Sequence, residues 1–272
     1  MDFANKLMER TGKGYLSYSA LKYAADGSPD QDMQLFEMYM TGKLRKQSDA
    51  LQFGSLYDTL LLEPEKLMDD FYVVYDDKKV QELSDQYKNP RASKAYKEWF
   101  AVELDHAEGK RIVTEDMMFQ AETMINRLDE TEVLDMQTGE VRSAREYLSG
   151  ETQYEIVDWI GDVPVRGFLD VRGKDFISDS KTTAKSVHNF RYDVNKYNYD
   201  IQAYIYCEVE QQDDFYWVVQ SKQSPYLTGV YKASKITLSK GEAKFWSAKQ
   251  NIRHWLDRPT KGTHTFGVYG EI

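Results

Sequence analysis

The pattern of apolar and polar positions divides the chain near Gly150. Before it, apolar residues recur mostly at helical spacing. Residues 33–40 and 51–62 each carry a three-to-four repeat, and Pro64 ends the second run. Ser17 or Ser19 is placed to cap a helix through Leu21 and Tyr23 to Ala25, stopped by the Asp-Gly-Ser-Pro turn at 26–29. The charged stretch 78–107 is interrupted by Asn89-Pro90 and predicts two helices, and a further helix is expected over 115–134. Residues 71–75 alternate and are rich in Val and Tyr, which favours a strand. After Gly150 the period changes to two. Residues 153–159, 163–171 and 176–180 read as three successive strands joined by tight turns at Gly161-Asp162 and Gly173-Lys174. A helix over 193–207, strands over 215–220 and 229–235, and a final helix over 239–256 complete the prediction. The class is α/β: a mixed central β-sheet flanked by helices, with a helical N-terminal half, and 272 residues can be accommodated as one domain.

Composition narrows the chemistry. The one cysteine, Cys207, excludes an intramolecular disulfide, a cysteine zinc site and a cysteine-ligated iron–sulfur cluster built from this chain alone; it reads as core filler. Four scattered histidines without a His-x-x-x-His pair offer no zinc hydrolase motif, and there is no Gly-x-x-x-x-Gly-Lys-(Ser/Thr) loop for a nucleotide. A mixed, charged N-terminus and the lack of a long apolar run predict a cytoplasmic protein with no membrane association. Net charge is −10, which argues against coating DNA through a uniformly basic surface but leaves room for a locally basic channel. Candidate clusters are Lys43, Arg45 and Lys46; Lys88, Arg91, Lys94 and Lys97; and Lys235, Lys240, Lys244 and Lys249, each of which is also the pattern of a solvated helix face.

The chemistry concentrates between Gly167 and Tyr206. Gly167-Phe-Leu-Asp170, Asp179-Ser-Lys181 and Gln202-x-x-x-Tyr206 follow one another within forty residues. If Gly173-Lys174 is a two-residue hairpin loop, Asp170 faces Ile177 and Asp179 lies on the diagonal, about 7–8 Å away between backbones. Two carboxylates across that gap can share a hard cation, and the strand period puts Lys181 on the face of Asp179. Gln202 and Tyr206, four apart, share a helical face. The chemistry this order serves is metal-assisted phosphodiester hydrolysis: Asp170, Asp179 and the Ser180 carbonyl hold Mg²⁺ and Lys181 assists the nucleophile.

At these residues the chain resembles the PD-(D/E)XK nuclease superfamily, and within it the phage and prophage exonucleases of the RecE (exonuclease VIII) type, relatives of RecB nuclease domains and lambda exonuclease. Leu16-Ser-Tyr-Ser19-Ala-Leu-Lys22, Phe53-Gly54-Ser-Leu-Tyr-Asp58-Thr-Leu-Leu-Leu-Glu63-Pro64 and Ser224-Pro-Tyr226 extend the likeness over most of residues 15–235. Where that family has a metal-binding His this chain has Asp58, and the resemblance carries the ligand role to Asp58. It implies a restriction-endonuclease-like core using Mg²⁺, with Mn²⁺ as the alternative. It also implies a 5′-to-3′ exonuclease on the ends of linear double-stranded DNA that leaves 3′ overhangs, a homo-oligomeric ring of three or four subunits, a single-strand annealing protein as partner, and a phage or prophage origin in a bacterial host. Ser17, Ser19 and Lys22 become candidates for a DNA 5′-phosphate. The alternatives are a structure-specific endonuclease of the same superfamily and a catalytically inactive DNA-binding protein of that fold.

Overall fold

The computed structural model describes residues 2–44, 48–135 and 138–258; Arg45 and Lys46 of the first basic cluster, and residues 259–272, lie outside the described residues. The helical half opens with α1 (Phe3–Thr11), capped by Asp2 and closed by Gly12 in the left-handed region (φ 75°), a helix too short and polar to stand out in the sequence. Next comes α2, confined to Tyr18–Leu21 where the pattern predicted a run to Ala25; Ser17 caps it, and residues 22–25 continue as turns. The helices α3 (Met33–Met40) and α4 (Asp49–Leu62) lie where expected, α4 ending at Pro64. They are followed by α5 (Leu67–Asp70), β1 (Phe71–Val74), α6 (Asp77–Ser84), α7 (Lys94–His106), β2 (Arg111–Thr114) and α8 (Glu115–Asp129). The helix expected to reach 134 stops at Asp129, because the next residues form β3 (Glu132–Leu134), paired with β4 (Val141–Ser143), a non-local partner that overrides helical propensity.

The second half holds a five-stranded sheet of order β5-β6-β7-β8-β9, with β5 (Glu151–Ile160), β6 (Val163–Arg172), β7 (Ile177–Thr183), β8 (Phe215–Ser221) and β9 (Thr228–Lys232). All neighbours are antiparallel except β7 and β8, which are parallel and so need a crossover. That crossover carries α9 (Phe190–Lys196) and α10 (Tyr199–Glu210); the single helix predicted over 193–207 is broken at Asn198, which adopts φ 58°. The last described element is α11 (Lys235–Leu256). Apolar side chains of β5 to β8 pack with α1 to α3, α10 and α11 in one core, while Val171 and Val218 join α4, α8 and the turn at residues 144–148 in another. Gly241 lets α11 approach α10, since a Cβ there would lie 2.0 Å from the Asp200 carbonyl oxygen. No helix among the described residues is long and apolar enough to cross a membrane.

The register between β6 and β7 differs from the prediction. Arg172 pairs with Ile177 and Val171 with Ser178, so the loop has four residues, closed by the Gly173 N–H on the Phe176 carbonyl (2.9 Å). Continued by one pair, this register sets Asp170 opposite Asp179 rather than on the diagonal.

Candidate active site

The ladder between β6 and β7 stops after two pairs, and Asp170 is where it stops. On the other edge, the β5–β6 ladder skips the pair at Gln153 and Asp170, because Gln153 is in the left-handed region (φ 49°). Freed from both ladders, Asp170 uses its side chain instead: Oδ2 accepts the Ser180 backbone N–H (2.8 Å) and Oδ1 accepts from Gln153 Nε2 (3.4 Å). Further along β6, on the edge that β5 leaves free, Leu16 bonds to Pro164 and Arg166 (2.9 Å each) and takes the place β7 would have filled. A slot therefore opens within the sheet between the splayed strands. It forms a cavity of about 540 Å³ lined by Asp58, Asp170, Asp179, Lys181, Gln202 and Tyr206 on one side, and by Lys13, Tyr15, Ser17, Tyr18, Ser19, Tyr39, Arg166 and Phe168 around the rest.

Each anticipated group has a defined place. Asp179 is 2 % exposed; its Oδ1 accepts from Gln202 Nε2 (2.7 Å), and its Oδ2 is ion-paired with Lys181 Nζ. The Lys181 ammonium also donates to the Ser180 carbonyl (3.2 Å) and lies 5.2 Å from the centre of the Tyr199 ring. Burial works against its charge, but Asp179 and Asp170 outweigh burial and hold the pKa of Lys181 above its ordinary value, so it is a fixed cation and not a base. Asp58 reaches the slot from α4. Burial, and after it repulsion from Asp179, push the Asp58 carboxyl up to about 7 against the opposing pull of Lys181. Asp170 is raised well above the carboxylate range by burial, then by Asp179 and Asp58. Tyr206, whose pKa burial also raises, packs on Gly167, where a Cβ would sit 2.7 Å from its ring.

The 5′-phosphate candidates divide. Ser17 and Ser19 line the cavity, Ser17 also capping α2 through the Ala20 N–H (3.3 Å). Lys22 does not; it faces Asp30 (3.5 Å) and the Tyr23 ring. Arg166, Phe168 and Tyr199 were not anticipated. Period-two spacing from Asp170 marks the first two, and Tyr199 precedes Gln202 by three on the same helix.

Three carboxylates sharing one cavity with a lysine are hard donors of the kind a divalent cation takes; burial first, and then the charge of Asp179, raises both Asp58 and Asp170, and a cation there would offset both. Among the described residues, no three His, Cys, Asp or Glu side chains are grouped to enclose an ion as they stand. The donor set fits in kind, and closing around an ion requires side-chain movement.

Comparison with known proteins agrees with the fold. The family described as a PDDEXK-like domain of unknown function (DUF3799) matches residues 17–263. A crystal structure described as a "Putative exonuclease" from Eubacterium rectale superposes with a TM-score of 0.53 over 97 % of this chain and 94 % of its own, at 16 % identity, which establishes likeness of fold. A second structure, of the protein SSO0001, covers 77 % of this chain and 96 % of its own at 14 % identity; its TM-score of 0.28 is too low to argue from. No curated protein matches the chain in sequence.

Proposed function

This chain belongs to the PDDEXK-like domain family of the PD-(D/E)XK nuclease superfamily, whose members generally use divalent metals, and from that premise we propose that it is a metal-dependent exonuclease acting on the ends of linear double-stranded DNA. The observation that carries the reading is the convergence of Asp170, Asp179 and Lys181 where β6 and β7 part. We infer 5′-to-3′ polarity with 3′ overhangs, a ring of three or four subunits and an annealing partner from the resemblance in the motifs alone.

Asp58, Asp170, Asp179 and the Ser180 carbonyl would hold Mg²⁺ or Mn²⁺, which when bound activates a water and offsets charge on the phosphate. The chain's own groups set up that chemistry. Gln202 fixes one oxygen of Asp179, and the Ser180 N–H fixes one oxygen of Asp170. Lys181, held cationic by its neighbours, supplies positive charge at the scissile phosphate. Ser17 and Ser19 offer hydroxyls along the slot for a terminal phosphate.

A time course on linear duplex labelled at one 5′ or one 3′ end, with Mg²⁺ or Mn²⁺, beside a closed circle and Asp179→Ala, tests the reading. Early loss of the 5′ label, an intact circle and an inactive variant are expected. Cleavage of the circle would make it an endonuclease, and no cleavage with either metal would leave a DNA-binding protein.

A further inference from the structure

The first part of the crossover that leads from Lys181 back to the sheet, between Asp179 and Asp200, is locally basic. Residues 180–199 carry four cations, Lys181, Lys185, Arg191 and Lys196, against one acid, Asp193, in a chain with 45 acids and 35 bases. The acid is turned inward: Asp193 is buried and takes Lys185 as its partner (3.3 Å). The outward face of α9 presents Arg191 and Lys196 with two exposed rings, Tyr192 at 61 % and, just beyond the helix, Tyr197 at 38 %.

Cations and rings alternate in space as well as in sequence. Arg191 lies over the Tyr192 ring (4.7 Å) and Lys196 over the Tyr197 ring (5.0 Å). Tyr197 lies 5.6 Å from Tyr199, and Tyr199 lies 5.2 Å from the Lys181 ammonium. A continuous path thus runs from exposed Lys196 through Tyr197 and Tyr199 to the carboxylate slot. Tyr18 ties α2 to this path by donating to the Tyr197 carbonyl (2.7 Å).

We propose that this strip is a binding track for single-stranded DNA. Tyr192 and Tyr197 stack on unpaired bases, and Arg191 and Lys196 contact the phosphates between them, so that one strand is led toward Lys181. Flat rings favour bases over the buried, paired edges of a duplex, and interleaved cations suit a polyanion in an otherwise acidic protein. The choice of DNA as the polymer rests on the nuclease reading; the stacking geometry does not.

The test is fluorescence anisotropy in EDTA with the full chain and three labelled probes: an oligo-dT of about 20 nucleotides, an abasic strand of equal length and a 20-base-pair duplex. Oligo-dT is expected to bind tighter than the abasic strand. Tyr192→Ala with Tyr197→Ala should weaken oligo-dT binding about tenfold or more, and Tyr192→Phe with Tyr197→Phe should leave it unchanged. Arg191→Ala and Lys196→Ala should each lower the salt slope by roughly 0.7. Equal affinity for oligo-dT and the abasic strand, stronger binding of the duplex, or an unaffected double Ala variant would each overturn the track. Because cleavage plays no part, a chain that binds oligo-dT but cuts nothing refutes the nuclease reading alone, and one that cuts without these effects refutes the track alone.

Discussion

Two places in the molecule hold carboxylates beneath the surface layer of side chains or in the slot, and they treat them in opposite ways. Near the start of α6, Asp76 is fully buried and accepts from Arg91 Nε (2.8 Å), Arg91 Nη2 (3.2 Å) and the Tyr96 hydroxyl (2.6 Å). Burial alone would raise Asp76, but the bonds from Arg91 and Tyr96 prevail and hold it below the usual carboxylate range. In the slot, Asp58 and Asp170 have fewer donors, and both are raised, by burial first and then by the neighbouring Asp179. A satisfied carboxylate stabilises the fold; a set that remains in mutual repulsion is stored readiness for a cation.

The largest contrast is expected from removing one group at each place. Asp170→Asn, Asp179→Asn and Lys181→Ala should each reduce DNA cleavage by at least about 10²-fold, and Asp170→Asn should do so with a melting transition near that of the parent. Asp76→Asn should do the reverse, leaving cleavage intact and lowering stability by about 1–3 kcal/mol through donors left unmatched at a buried site. Parallel denaturant melts and end-label assays measure both. Equal losses of activity from Asp76→Asn and Asp179→Asn would erase the distinction.

The next largest effect is on pH dependence. Asp58 titrates at about 7 when folded and near 4 when unfolded. Below that window both states hold the proton. Within it the unfolded chain has released the proton and the folded chain has not, so stability of the metal-free protein falls as pH rises toward 7, then levels off. Asp76 acts oppositely: its stabilisation is present at neutral pH and is lost as pH falls through its depressed value. Thermal melts in EDTA between pH 4.5 and 8 should show the first decline, and Asp58→Asn should make it shallower, the raised Asp170 supplying the rest. Mg²⁺ or Mn²⁺ should raise the melting temperature more at pH 8 than at pH 5 in the parent, and markedly less in Asp58→Asn.

The difference between the two places also explains what could be read in the sequence. Val163, Val165 and Leu169 alternate and announced β6, and the order Asp170, Asp179, Lys181, Gln202, Tyr206 announced the chemistry, since each motif is local. The register was misread because Gly173-Lys174 has the composition of a two-residue turn, while the chain carries the loop on to Phe176, whose ring packs within 2.6 Å of where a Gly173 Cβ would be. The break in the crossover had a local sign, Asn198, a residue type that tolerates positive φ, but helical spacing on both sides masked it. Asp58 came into view only through resemblance, because it is more than a hundred residues from Asp170. Lys13 and Tyr15 line the carboxylate cavity only because the Leu16 segment fills the gap left by β7, a long-range pairing that no periodicity encodes.

The smallest expected effect tests whether backbone strain beside the slot serves the site. Gln153 and Glu108 both adopt positive φ, 49° and 50°, Gln153 opposite Asp170 and Glu108 in the turn after α7. A glycine at either position relieves a conformation that side chains disfavour, and each variant should gain up to about 1 kcal/mol in a denaturant melt. Only Gln153→Gly also removes the amide that touches Asp170 Oδ1, leaving that oxygen free to turn. Gln153→Gly is therefore expected to be more stable yet to cleave a few-fold more slowly, with Glu108→Gly more stable at unchanged rate. If both variants cleave like the parent, the left-handed turn at Gln153 serves only to part the strands, and the orientation of Asp170 rests on the Ser180 N–H alone.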